Sequence, residues 1–234
     1  MTQAQWLASQ DPEAMLDFLC GKASERKLRL FLCACARRIW RFIRQEPCRQ
    51  AVRIAEKYAD GQASEAEREA AYLAARGVAW QIPDDSGAPM DDVRSDWATA
   101  VGVWAAGPSD SFAVSDGTDR EKVAIFFDVL FMTISNVVWE ADARTAETVA
   151  HAQLLRDLFE GPAGPMDVKA GWLTPRVVSL AEAIYEGRAF DRMPELADAL
   201  EQAGCEDKEI AAHCRGPGPH VRGCCVVDRL LGKG

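Results

Sequence analysis

Helix punctuation is the densest signal in this chain, and it restricts the fold more than any other feature. Asp11-Pro12-Glu13 reads as an N-cap, a proline at the first helical position and an acid in the first turn. Ser24 can cap a second helix, and Ser64-Glu65-Ala66-Glu67 has the spacing of a capping box. Thr174-Pro175 repeats the cap-and-proline start, Pro194 opens another helix, and Asp207 caps a short one. Glycines at 21, 61, 187 and 204 fall where these helices should stop. Between the signals, apolar residues recur at helical spacing. Leu28, Leu32, Cys35, Ile39 and Phe42 share one face of a helix expected over 25–45, with Arg26, Arg37, Arg41 and Arg44 opposite.

The spacing predicts further helices over 12–20, 48–60, from Ser64 towards Arg76, from Asp91 or Asp92 to Ala106, 143–159, from Thr174 to near Gly187, 194–204, 207–213 and 219–231. The stretch 122–139 is the most apolar. Its β-branched and aromatic residues suit a strand, but its length and the lack of an internal turn signal predict a buried helix. Residues 81–92 and 109–119 read as a loop and a linker. His151 stands isolated, and a polar-face or capped position is expected for it. The fold expected is an all-α bundle of about eight to ten helices. Gly161-Pro162-Ala163-Gly164-Pro165 is the clearest break, and it suggests a helical bundle over 1–160 and a C-terminal helical subdomain over 166–234.

The chain's 234 residues are enough for a real core, and the net charge of -9 argues against binding nucleic acid over the whole surface. The opening Met1 to Trp6 is polar and no apolar run reaches membrane-spanning length, so a cytoplasmic protein with no membrane contact is expected. In that setting the eight cysteines are reduced thiols rather than a disulfide framework.

Chemistry concentrates in 211–228, A-A-H-C-R-G-P-G-P-H-V-R-G-C-C-V-V-D. This stretch holds two of the three histidines and three of the eight cysteines. Gly216-Pro217-Gly218-Pro219 reads as a helix stop followed by a start at Pro219. That would bring His213, His220, Cys224 and Cys225 to one corner, with Cys205 arriving from the preceding helix. Imidazole and thiolate are the ligands zinc prefers, so Cys205, His213, His220 and Cys224 are candidate metal ligands, although their spacing follows no zinc-finger pattern. The bland alternative is that the thiols are small core residues. A helix starting at Pro219 would also place His220 and Arg222 at an anion-attracting N-terminus.

The basic strip 22–53 offers a phosphate-contacting face through Arg26, Arg37, Arg41 and Arg44, with Trp40 as a stacking ring. Arginines on an outer helix face more commonly pair with neighbouring acids. No phosphate-cradling glycine loop, nucleophile elbow or paired metalloprotease histidines occur, so no catalytic residue is assigned. The sequence favours a non-enzymatic module that binds another protein through a helical face. A His/Cys zinc site and nucleic-acid binding through the basic helices are the alternatives.

Three segments resemble an uncharacterised family of planctomycete-type bacterial proteins. They are the opening T-Q-A-Q-W-L through K-A-S-E-R-K-L-R-L-F, then A-Q-L-L-R-D-L-F, and W-L-T-P-R-V-V-S-L through L-A-D-A-L-E-Q-A-G-C to the ending H-C-R-G-P-G-P-H-V-R-G-C. The resemblance covers about half the chain, chiefly its two ends, and implies a bacterial, cytoplasmic protein. It brings no activity, cofactor or catalytic residue. The family carries an aromatic where this chain has Cys225, which sets Cys225 apart from the candidate ligands.

Overall fold

The structure is a computed structural model that describes residues 1–79, 90–108 and 141–233. Every regular element among them is helical, as the punctuation predicts. The helices are α1 (Gln3–Ala8), α2 (Pro12–Leu19), α3 (Glu25–Arg38), α4 (Glu46–Ala59), α5 (Glu65–Ala79), α6 (Met90–Ala105), α7 (Ala141–Leu158), α8 (Pro175–Gly187), α9 (Met193–Gln202), α10 (Lys208–Arg215) and α11 (Cys225–Leu230). Short 3₁₀ turns lie at Gly161–Ala163, Ala170–Trp172 and Phe190–Arg192. The helix expected over 122–139 and the linker at 109–119 lie outside the described residues, as does most of the loop at 81–92. Among the described residues, no helix is long and apolar enough to cross a membrane.

The caps act as their residue types require. The Asp11 carboxylate accepts the Glu13 and Ala14 N–H groups, and Ser24 and Thr174 accept from Lys27 and Val177. The Ser64 N–H donates to Glu67 Oε2 at 2.7 Å while the Glu67 N–H donates to Ser64 Oγ, which completes the capping box.

The chain divides into two compact units, one of residues 9–152 and one of residues 1–8 with 153–234. The division therefore falls inside α7, ahead of the Gly161–Pro165 break on which the sequence puts it. Trp6 explains why that break is internal. It is buried, and a Cβ on Gly161 would lie 2.6 Å from its indole ring. Gly161 also has φ +71°, so the turn needs glycine for both space and backbone, and it binds α1 to the C-terminal unit.

In the unit of residues 9–152, α3, α4, α5 and α6 pack on one another around Phe31, Leu32, Cys35, Val52 and Val101. Helix α3 stops at Arg38, short of the expected Gln45, because the chain tightens into turns through Phe42 and Ile43 before α4 begins at Glu46. Two arginines are buried here. Arg29 Nη1 donates to the carbonyls of Ala105 at 3.2 Å and Gly107 at 2.9 Å, and Nη2 meets Glu25 at 2.8 Å. Arg68 reaches the Ala106 carbonyl and Glu65. Together they satisfy the carbonyls that the end of α6 leaves without helical partners.

His151 is fully buried, not on a polar face. Its Nδ1 lies 2.7 Å from the Glu147 carbonyl, so Nδ1 carries the proton that is donated. Burial lowers its pKa, against the pull of Glu147. The unfolded chain therefore takes up a proton below about pH 6.5 that the native state refuses. Stability is full above that pH and falls as pH drops towards the native pKa, by at most about 1.4 kcal/mol per pH unit. Urea unfolding at pH 7.0 and pH 5.0 should show a smaller loss in His151→Gln than in the wild type. Equal losses would contradict a neutral buried ring.

Candidate metal centre

In the unit of residues 1–8 and 153–234, α8, α9, α10 and α11 enclose a core of Val177, Ile184, Tyr185, Leu196, Leu200 and Val227. Asp157 lies in the last turn of α7, beside the buried Leu154, Leu155 and Leu158. His213 is in the last turn of α10, His220 is in the loop that follows, and Cys224 is the residue before α11.

That loop is not the start of a helix. The last helix begins at Cys225, not Pro219, and the Gly218–Pro219 peptide is cis. Asp157 organises the segment instead. Its Oδ2 accepts the Val221 N–H at 2.9 Å and its Oδ1 lies 2.6 Å from His220 Nδ1. Gly218 permits the bend, since it has φ +74° and a Cβ there would come within 2.9 Å of the His220 nitrogen. With no helix N-terminus at Pro219, the anion site such a helix would offer does not form, and the plainer reading, an arginine near a carboxylate, is nearer the mark. Arg222 lies over the Tyr185 ring, 4.8 Å from its centroid, and 3.7 Å from Glu186.

Four donor atoms converge. His213 Nε2 is 3.2 Å from Asp157 Oδ1 and 3.2 Å from Cys224 Sγ, and one ligand atom from each of Asp157, His213, His220 and Cys224 lies within 4.8 Å of the others. The two imidazole centroids are 4.9 Å apart. Asp157 and Cys224 are buried, and the side chains of His213 and His220 are 22% and 9% exposed. Around a tetrahedral zinc ion, nitrogen and oxygen ligands stand about 3.3 Å apart and nitrogen and sulfur about 3.5 Å. The two contacts of His213 are near those edges. The shorter His220–Asp157 contact is a hydrogen bond, which an ion between the two residues would replace.

The electrostatics are those of a hydrogen-bonded cluster, whose imidazole and thiol protons an ion would have to displace. Burial pushes the Asp157 carboxyl up, but hydrogen bonds from His213 and His220 outweigh it and hold the group below its ordinary value, ionised. Burial lowers His213, and Asp157 more than reverses that. Burial drives the Cys224 thiol well above its ordinary pKa, with Cys225 and Asp157 adding to the rise. A buried thiol among electron-rich neighbours is inert as a nucleophile, and a cation is what would deprotonate it. Through His213 the arrangement is not a cysteine–histidine–carboxylate relay. A relay uses both ring nitrogens of the histidine, one towards the thiol and one towards the carboxylate. Here a single nitrogen of His213 faces both.

Of the sequence candidates, His213, His220 and Cys224 come together, while Cys205 stays outside the cluster as a buried core residue. Cys214 is also core, and burial pushes its thiol up to about 12. Asp157 is the member of the cluster that sequence reasoning misses. Its one signal was an acid set among leucines in Leu154-Leu155-Arg156-Asp157-Leu158. Among the described residues there is no other such grouping. Of the basic strip, Arg26 pairs with Asp60 at 2.9 Å and Arg37 with Glu56 at 2.8 Å. Arg41 lies over Phe42, and both Arg41 and Arg44 are exposed. No known protein family, curated protein or solved structure matches this chain.

Proposed function

We propose that this protein binds one divalent transition metal, zinc foremost, through Asp157, His213, His220 and Cys224. The convergence of these four donor atoms carries the reading. Two nitrogens, one sulfur and one oxygen suit zinc better than the hard cations magnesium or calcium, which take oxygen ligands. The ligands come from α7, from α10 and from the middle and the end of the loop between α10 and α11, so an ion would fasten that loop to two helices. An interaction face has less support. Among the described residues the exposed large apolar side chains are four, Met1, Leu7, Leu73 and Leu173, and they lie on separate elements.

Equilibrium dialysis against zinc under reducing conditions tests the proposal. One zinc per chain is expected, and Cys224→Ala or His213→Ala should weaken binding by at least about a hundredfold, beyond the range typical of residues that only orient a ligand. A folded protein that takes up no zinc, or variants that bind it as tightly as the wild type, would overturn it. The cluster would then be a hydrogen-bonded knot holding the loop.

A further inference from the structure

We propose that a cavity beside the histidine cluster binds a small molecule with an apolar body and one cationic group, of the alkyl- or arylammonium class. The cavity has a volume of about 610 Å³, that of a small-molecule pocket, and its lining belongs entirely to the unit of residues 1–8 and 153–234. Burial grades that lining. Trp6, Phe159, Ile210 and Val226 are buried, whereas Asp167, Asp207 and Glu209 are exposed. An apolar body therefore finds apolar wall inside, and a charged end meets carboxylates where solvent begins. The four donors beside the cavity would already fill the tetrahedral shell of an ion, so the ligand is held by wall and rim and not by a metal.

Charge selects the class of ligand. Arg156 is the guanidinium on the lining, and its Nη1 donates to the Trp6 carbonyl at 3.4 Å. Against it stand the carboxylates of Asp167, Asp207 and Glu209. The other two acids of the lining are already engaged. Glu160 pairs with Arg229 at 2.7 Å, and Asp157 faces His213, His220 and the Val221 N–H. The rim is therefore acidic on balance, which draws in a cation and repels an anion.

Isothermal titration calorimetry of the full chain with phenylbutylamine, phenylbutanol and phenylbutyrate, one apolar body with three end groups, tests this. The amine should bind at least about tenfold tighter than the acid, with the alcohol between them. The order should hold with and without zinc, so the pocket does not stand or fall with the metal centre. Asp167→Asn combined with Asp207→Asn leaves one rim carboxylate against one guanidinium, and asparagine caps a helix as well as aspartate does. In that variant the amine and the acid should bind within about threefold of each other, with the alcohol unchanged. Ala212→Trp, at an exposed position on the lining, should fill the cavity and weaken all three about tenfold. An amine that does not bind, an acid or alcohol that binds as tightly, or an Ala212→Trp chain that takes up the amine as the wild type does would overturn the proposal.

Discussion

Arg29→Met is expected to lower the stability of the unit of residues 9–152 by about 2–4 kcal/mol, the cost of leaving buried carbonyls without a donor. The guanidinium is fully buried and donates to the Ala105 and Gly107 carbonyls while pairing with Glu25. Methionine fills similar space but donates nothing, so two carbonyls at the end of α6 lose a partner in a place water does not reach. Arg68, which caps the intervening Ala106 carbonyl, cannot cover all three. Arg192→Met, which removes an exposed i,i+3 pair with Glu195, should leave stability nearly unchanged. Urea unfolding of both variants decides the matter, and equal effects would show that burial of the Arg29 network is not what stabilises the unit.

Asp157→Ala should have the second large effect, and it should appear in two ways. The buried carboxylate accepts the Val221 N–H and faces both imidazoles, so its removal releases the loop between α10 and α11 even without metal. A loss of about 3 kcal/mol is expected for the metal-free protein. The second effect is on linkage. At free zinc a thousandfold above its dissociation constant the wild type should gain about 4 kcal/mol, whereas Asp157→Ala, binding about a hundredfold more weakly, should gain no more than about 1.4 kcal/mol. If zinc stabilises the variant as much as the wild type, Asp157 is a structural carboxylate and not a ligand.

The helices were legible because their punctuation is local. Asp11, Ser24, the Ser64–Glu67 box, Thr174 and Asp207 each act on backbone N–H groups two or three residues away, and each caps the helix expected of it. What could not be read is what depends on distance along the chain. Arg29 looked like one more member of a basic strip, yet its partners lie 76 and 78 residues onward. Asp157 belongs to another helix, 63 residues before His220. Two imidazoles and a thiol were visible as a corner, and the carboxylate that unites them was not. The Gly-Pro-Gly-Pro run was misread as a helix start: the residues after Pro219 turn back towards Asp157 and enter a helix only at Cys225.

X-ray absorption at the zinc edge of the zinc-loaded wild type tests the metal centre most directly. One sulfur at about 2.3 Å and three nitrogen or oxygen neighbours at about 2.0–2.1 Å are expected, with the sulfur lost in Cys224→Ala. A shell without sulfur, or one of oxygens alone, would place the ion elsewhere and contradict the site.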